Sequence, residues 1–417
     1  MLSLTLPIAS MLVLPLVLVL LDLFGGLRAR HKRTLGWDGT VVEDFEVLVP
    51  IWGSIRYLEN VDYLSAYGSR VVLCTTASET PEFNAAVDEL ARIHGFRVFR
   101  AEAGSMAQNG TRSTSGTLRD RVVRDAHEVL SAPWVVCIDA DTVTEQPLSH
   151  LVGAMASQNV DFASVRLVPS NADTLLARLQ GHEYAMAMLL RRIMPWMVSG
   201  ACHAARRHVH KRVMAKHSLF FQGNDIEVGL LADRLGYTVG HVPFDVPTTV
   251  PATLKPWLRQ RLAWAGGEVR LFVANPQIML RHPFFWAYGA LISLGGLPLR
   301  WYGIAHLGWI LPTIPVLYVA ILSYLQRGRW NWLILLMPFY AAVSSLLLTP
   351  IGLVYYVKMA IADKNAGLIR IRRHTPRLRP RFPAHRKRER EAAARQQAAL
   401  ARHAAGARQA VGARTSS

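Results

Sequence analysis

The chain has 417 residues, a formal net charge of +18, 51% hydrophobic and 18% charged residues. So low a charged fraction excludes a disordered protein over most of the length, and three cysteines (Cys74, Cys137, Cys202) are too few and too scattered for a disulfide framework or a zinc site and fit a reducing compartment. The charge is local: residues 370–417 hold 14 Lys or Arg against two Glu, residues 28–33 read RARHKR, and the remainder sums to +2, which argues for a membrane surface and against a nucleic-acid-binding face.

In chain order, the first apolar run is Leu2–Gly25, long enough to span a hydrocarbon core of about 30 Å. Positive charge follows it rather than precedes it. Residues 1–27 therefore read as a transmembrane signal anchor with the N-terminus outside and the rest in the cytoplasm. A cleaved signal peptide is the rival, but neither a positive n-region nor an A-x-A site is present.

Residues 34–255 read as a cytoplasmic domain. Continuous apolar runs at Phe45–Pro50, Val71–Thr76, Trp134–Ile138 and Phe162–Val168 suit buried parallel strands. Helical patterns lie between them, at Pro81–His94 and Leu118–Leu130. This alternation predicts an α/β, doubly wound sheet, with ligands beyond the C-terminal ends of its strands.

Residues 256–300 read as interfacial or re-entrant helices, from Arg, Trp and Leu at helical spacing in Trp257–Phe272 and the apolar run Phe284–Leu299. Residues 301–361 read as C-terminal transmembrane helices. Two crossings, Trp301–Leu325 and Trp332–Tyr356, keep the basic tail cytoplasmic; four is the alternative. Pro338 and Pro350 are expected to break the last run. The tail, 366–417, is Arg-, Pro- and Ala-rich, is expected to be disordered, and its plain partner is anionic lipid.

Three segments carry chemistry. In VVCIDADTVTEQP, residues 135–147, an apolar strand delivers Asp139 and Asp141 to its end, pointing the same way. Two such carboxylates suit a hard divalent cation, Mg²⁺ or Mn²⁺, though an acidic turn is the plainer reading of this motif alone. In FFQGNDIEVGLLADRLGYTV, residues 220–239, Asp225 and Glu227 open an amphipathic helix. Either acid would favour the helix N-terminus, and Asp225 is also placed to act as a general base. In WLRQRLAWAGG, residues 257–267, Gln260, Arg261 and Trp264 precede the apolar region, where Trp and Arg also serve as interfacial anchors. Cys137 reads as packing, and His203, His208 and His210 as part of a basic run, with a metal site as the minor alternative.

These elements in this order resemble the membrane-integrated family 2 glycosyltransferases, the branch holding hyaluronan, chitin and cellulose synthases, over residues 40–365. FEVLVPIW is similar to the family's first strand, VVLCTTASETPEF to its second strand and uracil-side loop, and IDADT to its DxD. FFQGNDIEVGL stands at its base motif and RQRLAW at its Q-x-x-R-W. The resemblance implies a GT-A type domain that moves a sugar, with inversion, from a nucleotide-sugar, UDP-linked by expectation, to a polysaccharide or glycan acceptor at the bacterial plasma membrane. It implies Pro50, Thr75 and Glu79 beside the uridine. Asp139 and Asp141 serve the diphosphate, with Asp141 on the metal, and Arg119, or in second place Arg112, faces the donor. Asp225 is the implied base. Gln260, Arg261 and Trp264 close over the diphosphate and acceptor, and Ser199–Cys202 shapes the acceptor site. Glu183 and Tyr184 are further acceptor-orienting candidates, with helix packing as the alternative.

Two departures from the family pattern stand out, of which the second weighs against processive synthesis. The family's Glu-Asp is Asn224-Asp225 here, and its Arg is Ala263. Transfer of one sugar to a lipid or cell-wall precursor is the alternative, and a catalytically silent assembly partner is the rival from another class. A few crossings are too few for a single-chain pore, so a polymer channel would need a second copy or an export partner.

Overall fold

The computed structural model describes residues 22–32, 34–102, 115–279 and 313–369, all within the first of two units, Met1–Arg370. Most of the expected anchor, Arg112, the run Phe284–Leu299, the start of Trp301–Leu325 and the tail beyond 369 lie outside the described residues.

Seven strands form one sheet: β1 (Phe45–Pro50), β2 (Val71–Thr76), β3 (Arg97–Ala101), β4 (Trp134–Ile138), β5 (Phe162–Pro169), β6 (Cys202–Arg206) and β7 (Val239–Thr248). Their order is β3-β2-β1-β4-β6-β5-β7. β1, β2 and β4 are buried along their whole length, which is why each reads as an unbroken apolar run. The sheet is mixed: β1, β2, β4 and β5, the four strands expected from apolar runs, share one direction, and β6 runs antiparallel to both β4 and β5. Its five residues, CHAAR, carry no apolar run to announce a strand. The reversal matters for function, because β6 begins where β4 ends. The Asp139 N–H donates to the Ala201 carbonyl at 3.0 Å, so loop 199–201 lies against the acidic end of β4.

Helices cover the sheet. They include α1 (Pro81–His94), α2 (Ser115–Asp125), α3 (Leu148–Ser157), α4 (Leu175–Leu190), α5 (Arg207–Met214) and α6 (Asn224–Arg234). Local chemistry sets their ends. Thr80 caps α1 by accepting from the Phe83 N–H, Pro81 fills the first turn, and Gly95 closes the helix in the left-handed region at φ 71°. Thr174 caps α4 through the Ala177 N–H. The main core packs one face of the sheet, from Phe45 and Val49 to Phe244, against Phe83 and Val87 of α1, Leu151 and Met155 of α3 and Ala177 and Met188 of α4.

A second layer is built from α7 (Leu254–Val269), α8 (Thr313–Leu325), α9 (Met337–Ala342) and α10 (Thr349–Ala362). Pro338 stands in the first turn of α9, where the missing N–H has no partner to lose; Pro350 instead follows a π-helical segment, Val343–Leu348, that joins α9 to α10 in continuous helical backbone, so the expected break there is a change of helix type. No helix among the described residues is long and apolar enough to cross a membrane. α7 is not an interfacial anchor on its Trp257–Arg261 face. Trp257 is buried, its indole N–H donates to Tyr340 at 3.0 Å, and it packs with Leu322 and Leu333. Close approach holds α10 on α7: a Cβ at Gly352 would stand 2.5 Å from the Ala265 Cβ.

Candidate active site

Asp139 and Asp141 emerge from β4 into a turn that the protein builds with care. The Thr142 N–H donates to the Asp139 carbonyl at 3.1 Å. Asn60, itself buried, donates from Nδ2 to the carbonyls of Asp139 and Thr142 at 3.0 and 2.6 Å. A side-chain amide thus pins the turn from beneath and leaves both carboxylates to the site.

Arg119 on α2 faces this turn. Its Nε donates to Asp139 Oδ1 at 3.0 Å, and its Nη2 donates to the Gly200 carbonyl. Burial opposes the charge, yet Asp139 and then Asp120 hold the guanidinium above its usual pKa. Burial likewise pushes the Asp139 carboxyl up, against the pull of Arg119. Gly200 also reaches the other carboxylate: its N–H donates to Asp225 Oδ2 at 3.1 Å. The two peptide units that meet at Gly200 therefore join the DxD turn, Arg119 and Asp225 into a single constellation.

The two acids that open α6 separate by geometry. Residues two apart on a helix point about 200° apart. Asp225 stays half-buried toward Gly200, whereas Glu227 is fully buried and pairs with Arg270, itself fully buried. Burial would raise the Glu227 carboxyl, but His217 and Arg270 hold it below its usual value. Arg270 also donates to the carbonyls of Phe220 and Gln222. Glu227 and Arg270 thus fasten the loop that precedes Asp225. The loop rests on α7, where a Cβ at Gly267 would stand 2.6 Å from the Gly223 N. Gly223 itself takes φ 69°, a left-handed conformation that glycine adopts without strain.

The uridine-side residues gather at the ends of β1 and β2. Pro50 is buried at the end of β1. Glu79 accepts from the Gly53 N–H at 3.0 Å and from the Thr76 hydroxyl at 3.4 Å, tying the two strand-end loops together. Thr75 is fully buried, and its hydroxyl has no hydrogen-bond partner among the described residues.

On α7, Gln260 and Trp264 lie one turn apart. Gln260 has a buried Oε1 without a partner, and Trp264 is 45% exposed. Arg261 departs from the donor-side expectation. It is buried, pairs with Glu183 of α4, approaches Tyr340 at 3.3 Å, and makes no ion pair with Asp139 or Asp141. Its guanidinium lies 4.2 Å from the Trp264 ring centre, and Tyr184 stands 6.5 Å from that ring. Glu183 and Tyr184 are therefore packed into an aromatic and ionic wall with α7.

Sequence reasoning missed four contributors. Asn60 and Asp120 sit in segments with no motif. Arg191 at the end of α4 is half-buried, and desolvation lowers its pKa to about 10 despite the nearby Asp225. Arg270 follows WAGG but carries no local signal of burial.

The donor set at the end of β4 suits a hard cation. Arg119 engages only Oδ1 of Asp139, and Asp141 pairs with no cation among the described residues. Carboxylate oxygens are what Mg²⁺ and Mn²⁺ take.

A mixed sheet of this order, with paired acids at the end of its central strand and a second acid across a loop, defines a GT-A-like, Rossmann-type nucleotide-sugar fold. Residues 134–358, more than half of the chain, match the family described as Glycosyl transferase family group 2. The chain belongs to that family. Two relatives named N-acetylglucosaminyltransferase are each 30% identical. One, from Rhizobium meliloti (strain 1021), aligns over 171 residues, 37% of this chain and 40% of its own. The other, from Azorhizobium caulinodans, aligns over 154 residues, 33% and 38%. The chain thus spans about two fifths of the length of these relatives. A mannosyltransferase from Pyrobaculum calidifontis, solved in complex with GDP-Man and Mn2+, shares the fold with TM-score 0.52 at 16% identity, over 86% of this chain and 97% of its own.

Proposed function

We propose that the protein transfers a sugar, with inversion, from a UDP-linked nucleotide-sugar to a growing polysaccharide or glycan acceptor at the cytoplasmic face of a bacterial plasma membrane. The observation that carries this reading is the Gly200 bridge. Its N–H holds Asp225 and its carbonyl holds Arg119, which holds Asp139. A donor diphosphate at the acidic turn and an acceptor hydroxyl at Asp225 would then face each other across one residue.

Asp225 Oδ2 takes the proton of the acceptor hydroxyl, contributing roughly 10² to 10⁴ in rate. The hydroxyl oxygen attacks the anomeric carbon in line as the bond to the diphosphate breaks, so one displacement inverts the centre. Arg119 stabilises the charge that develops on the leaving diphosphate. Asp139 and Asp141 would hold Mg²⁺ or Mn²⁺, which when bound neutralises the departing diphosphate. Trp264, exposed over Tyr184, offers the acceptor sugar an aromatic face.

The membrane reading is supported by apolar side chains left exposed on the second layer. Val316 is 68% exposed, Phe339 69%, Val354 67% and Ile361 72%, with Trp330 and Trp332 beside them; so broad an apolar surface calls for a covering phase. The basic tail then meets anionic lipid. Single-sugar transfer to a lipid or cell-wall precursor is the second reading. Ala263 and the engagement of Arg261 by Glu183 favour it, because together they leave α7 with no arginine facing the donor among Gln260–Trp264.

The test is UDP release by the full chain in detergent, across a panel headed by UDP-N-acetylglucosamine, the donor that the relatives' names suggest. Assays carry Mg²⁺, Mn²⁺ or EDTA. Metal-dependent release from one donor supports the proposal, and product size separates polymer from single adduct. No release and no donor binding by calorimetry would sink it.

A further inference from the structure

Behind the acidic turn lies a cluster that the transfer reaction does not use. Cys137 on β4 stands directly opposite His203 on β6 in the antiparallel register. His210 on α5 completes a triangle with them. All three side chains are buried, and their ligand atoms lie within 4.8 Å of one another. His127 backs the group from the other side.

The ring nitrogens are arranged in a particular way. His203 Nδ1 faces the Ser199 carbonyl at 3.3 Å. A carbonyl only accepts, so Nδ1 carries the proton and Nε2 presents its lone pair inward. His210 Nδ1 meets His127 Nε2 at 2.7 Å. His210 Nε2 then stands 3.2 Å from His203 Nε2 and 3.6 Å from Cys137 Sγ. Zinc bonds of about 2.05 Å to nitrogen and about 2.3 Å to sulfur, at a tetrahedral angle, set the N···N edge at roughly 3.3 Å and the N···S edge at roughly 3.6 Å. Both observed edges match. The outer nitrogens already have the carbonyl and imidazole partners that orient ligating histidines.

We propose that Cys137, His203 and His210 form a binding site for a Zn²⁺-type ion, separate from the pair Asp139 and Asp141. Cys137 binds as the thiolate, its proton released to solvent. Cysteine spacing gave no hint of this site, because its ligands come from two strands and a helix. The ion would clamp β4 to β6 two residues before Asp139 and below Gly200, fixing the floor of the site. The ligand set, one thiolate and two imidazoles, selects a borderline-soft ion over Mg²⁺ or Mn²⁺.

The experiment uses the full chain, expressed with zinc in the medium and purified without chelator. Elemental analysis should find about one zinc per chain. Protein grown with cobalt instead should show the thiolate-to-cobalt charge-transfer band and the visible bands of tetrahedral Co²⁺. Cys137→Ser should abolish the charge-transfer band, and His127→Gln should weaken metal retention roughly 10- to 100-fold. The double variant Asp139→Asn with Asp141→Asn should keep both zinc and band. Absence of zinc and of the cobalt band in the unaltered chain overturns the proposal and leaves a chain of imidazole hydrogen bonds. Loss of the metal in the Asp139/Asp141 variant with retention in Cys137→Ser overturns it equally, by assigning the ion to the acidic turn. The unaltered chain alone decides the matter if a variant fails to fold.

Discussion

Asn224 Nδ2 donates to Asp120 Oδ2 at 2.8 Å. That hydrogen bond couples the helix that carries Asp225 to the helix that carries Arg119, since each partner is the chain neighbour of a site residue. It also explains why the acid usual at position 224 in this family's base motif is an amide here. Asp120 is buried, and burial already raises its carboxyl. A second carboxylate facing it would add a like charge where water cannot screen it.

Asn224→Asp should therefore lower stability by about 1–3 kcal/mol, the cost of a buried acceptor left without its donor. Adding Asp120→Asn exchanges the two groups and should recover most of the loss. Thermal denaturation of the four proteins of this cycle checks it; full additivity of the two changes would show that the pair does not interact.

Asp225→Asn should reduce turnover by roughly 10² to 10⁴ and leave UDP-sugar affinity within a few-fold of the unaltered chain. UDP release and calorimetry read the two quantities separately. Near-normal turnover would remove Asp225 from the role of base.

Gly267→Ala places a methyl 2.6 Å from the Gly223 N. The loop before Asp225 has to shift, at about 1–3 kcal/mol. Catalytic rate should fall while donor binding is retained, because the strand ends that form the nucleotide side do not touch this contact. Equal loss of both would place the damage elsewhere.

Glu227 and Arg270 pair with neither side chain exposed. Glu227→Gln alone should cost about 3–5 kcal/mol by stranding a buried guanidinium. The double variant with Arg270→Met should be more stable than the single one. Chemical denaturation gives the ordering, and a double variant worse than Glu227→Gln would argue against a stranded charge.

His241 is buried against Ser164, 3.0 Å from its hydroxyl, and burial lowers its pKa to about 3. An exposed histidine titrates near 6.5, so the unfolded chain binds the extra proton first. The stability this group contributes is complete above pH 6.5 and is lost as pH falls toward 3, by up to about 1.4 kcal/mol per pH unit. His241→Gln should flatten melting temperature against pH in that window. Parallel curves would mean that His241 does not resist protonation.

The long-range order of this molecule was readable where local chemistry and burial coincide. β1, β2, β4 and β5 are buried along nearly their whole length, so continuous apolar runs marked them within a residue or two of their ends. The positions of Asp139 and Asp141 at a strand end and of Asp225 at a helix start were readable because both are short-range features. The helix start at Pro338 followed from a missing N–H.

What only the tertiary structure decided is which way each group faces and what it meets. Periodicity alone set Asp225 and Glu227 together at the head of one helix; the fold turned one toward Gly200 and buried the other on Arg270. It paired Arg261 with Glu183, and made a strand of CHAAR by seating it between β4 and β5. Asn60, Asp120 and Arg270 hold the site through contacts from distant segments, and no local pattern records a partner 43 or 104 residues away. Periodicity encodes burial, which is a property of one segment; the pairing of polar groups depends on two segments at once, and is settled only when the chain closes around them.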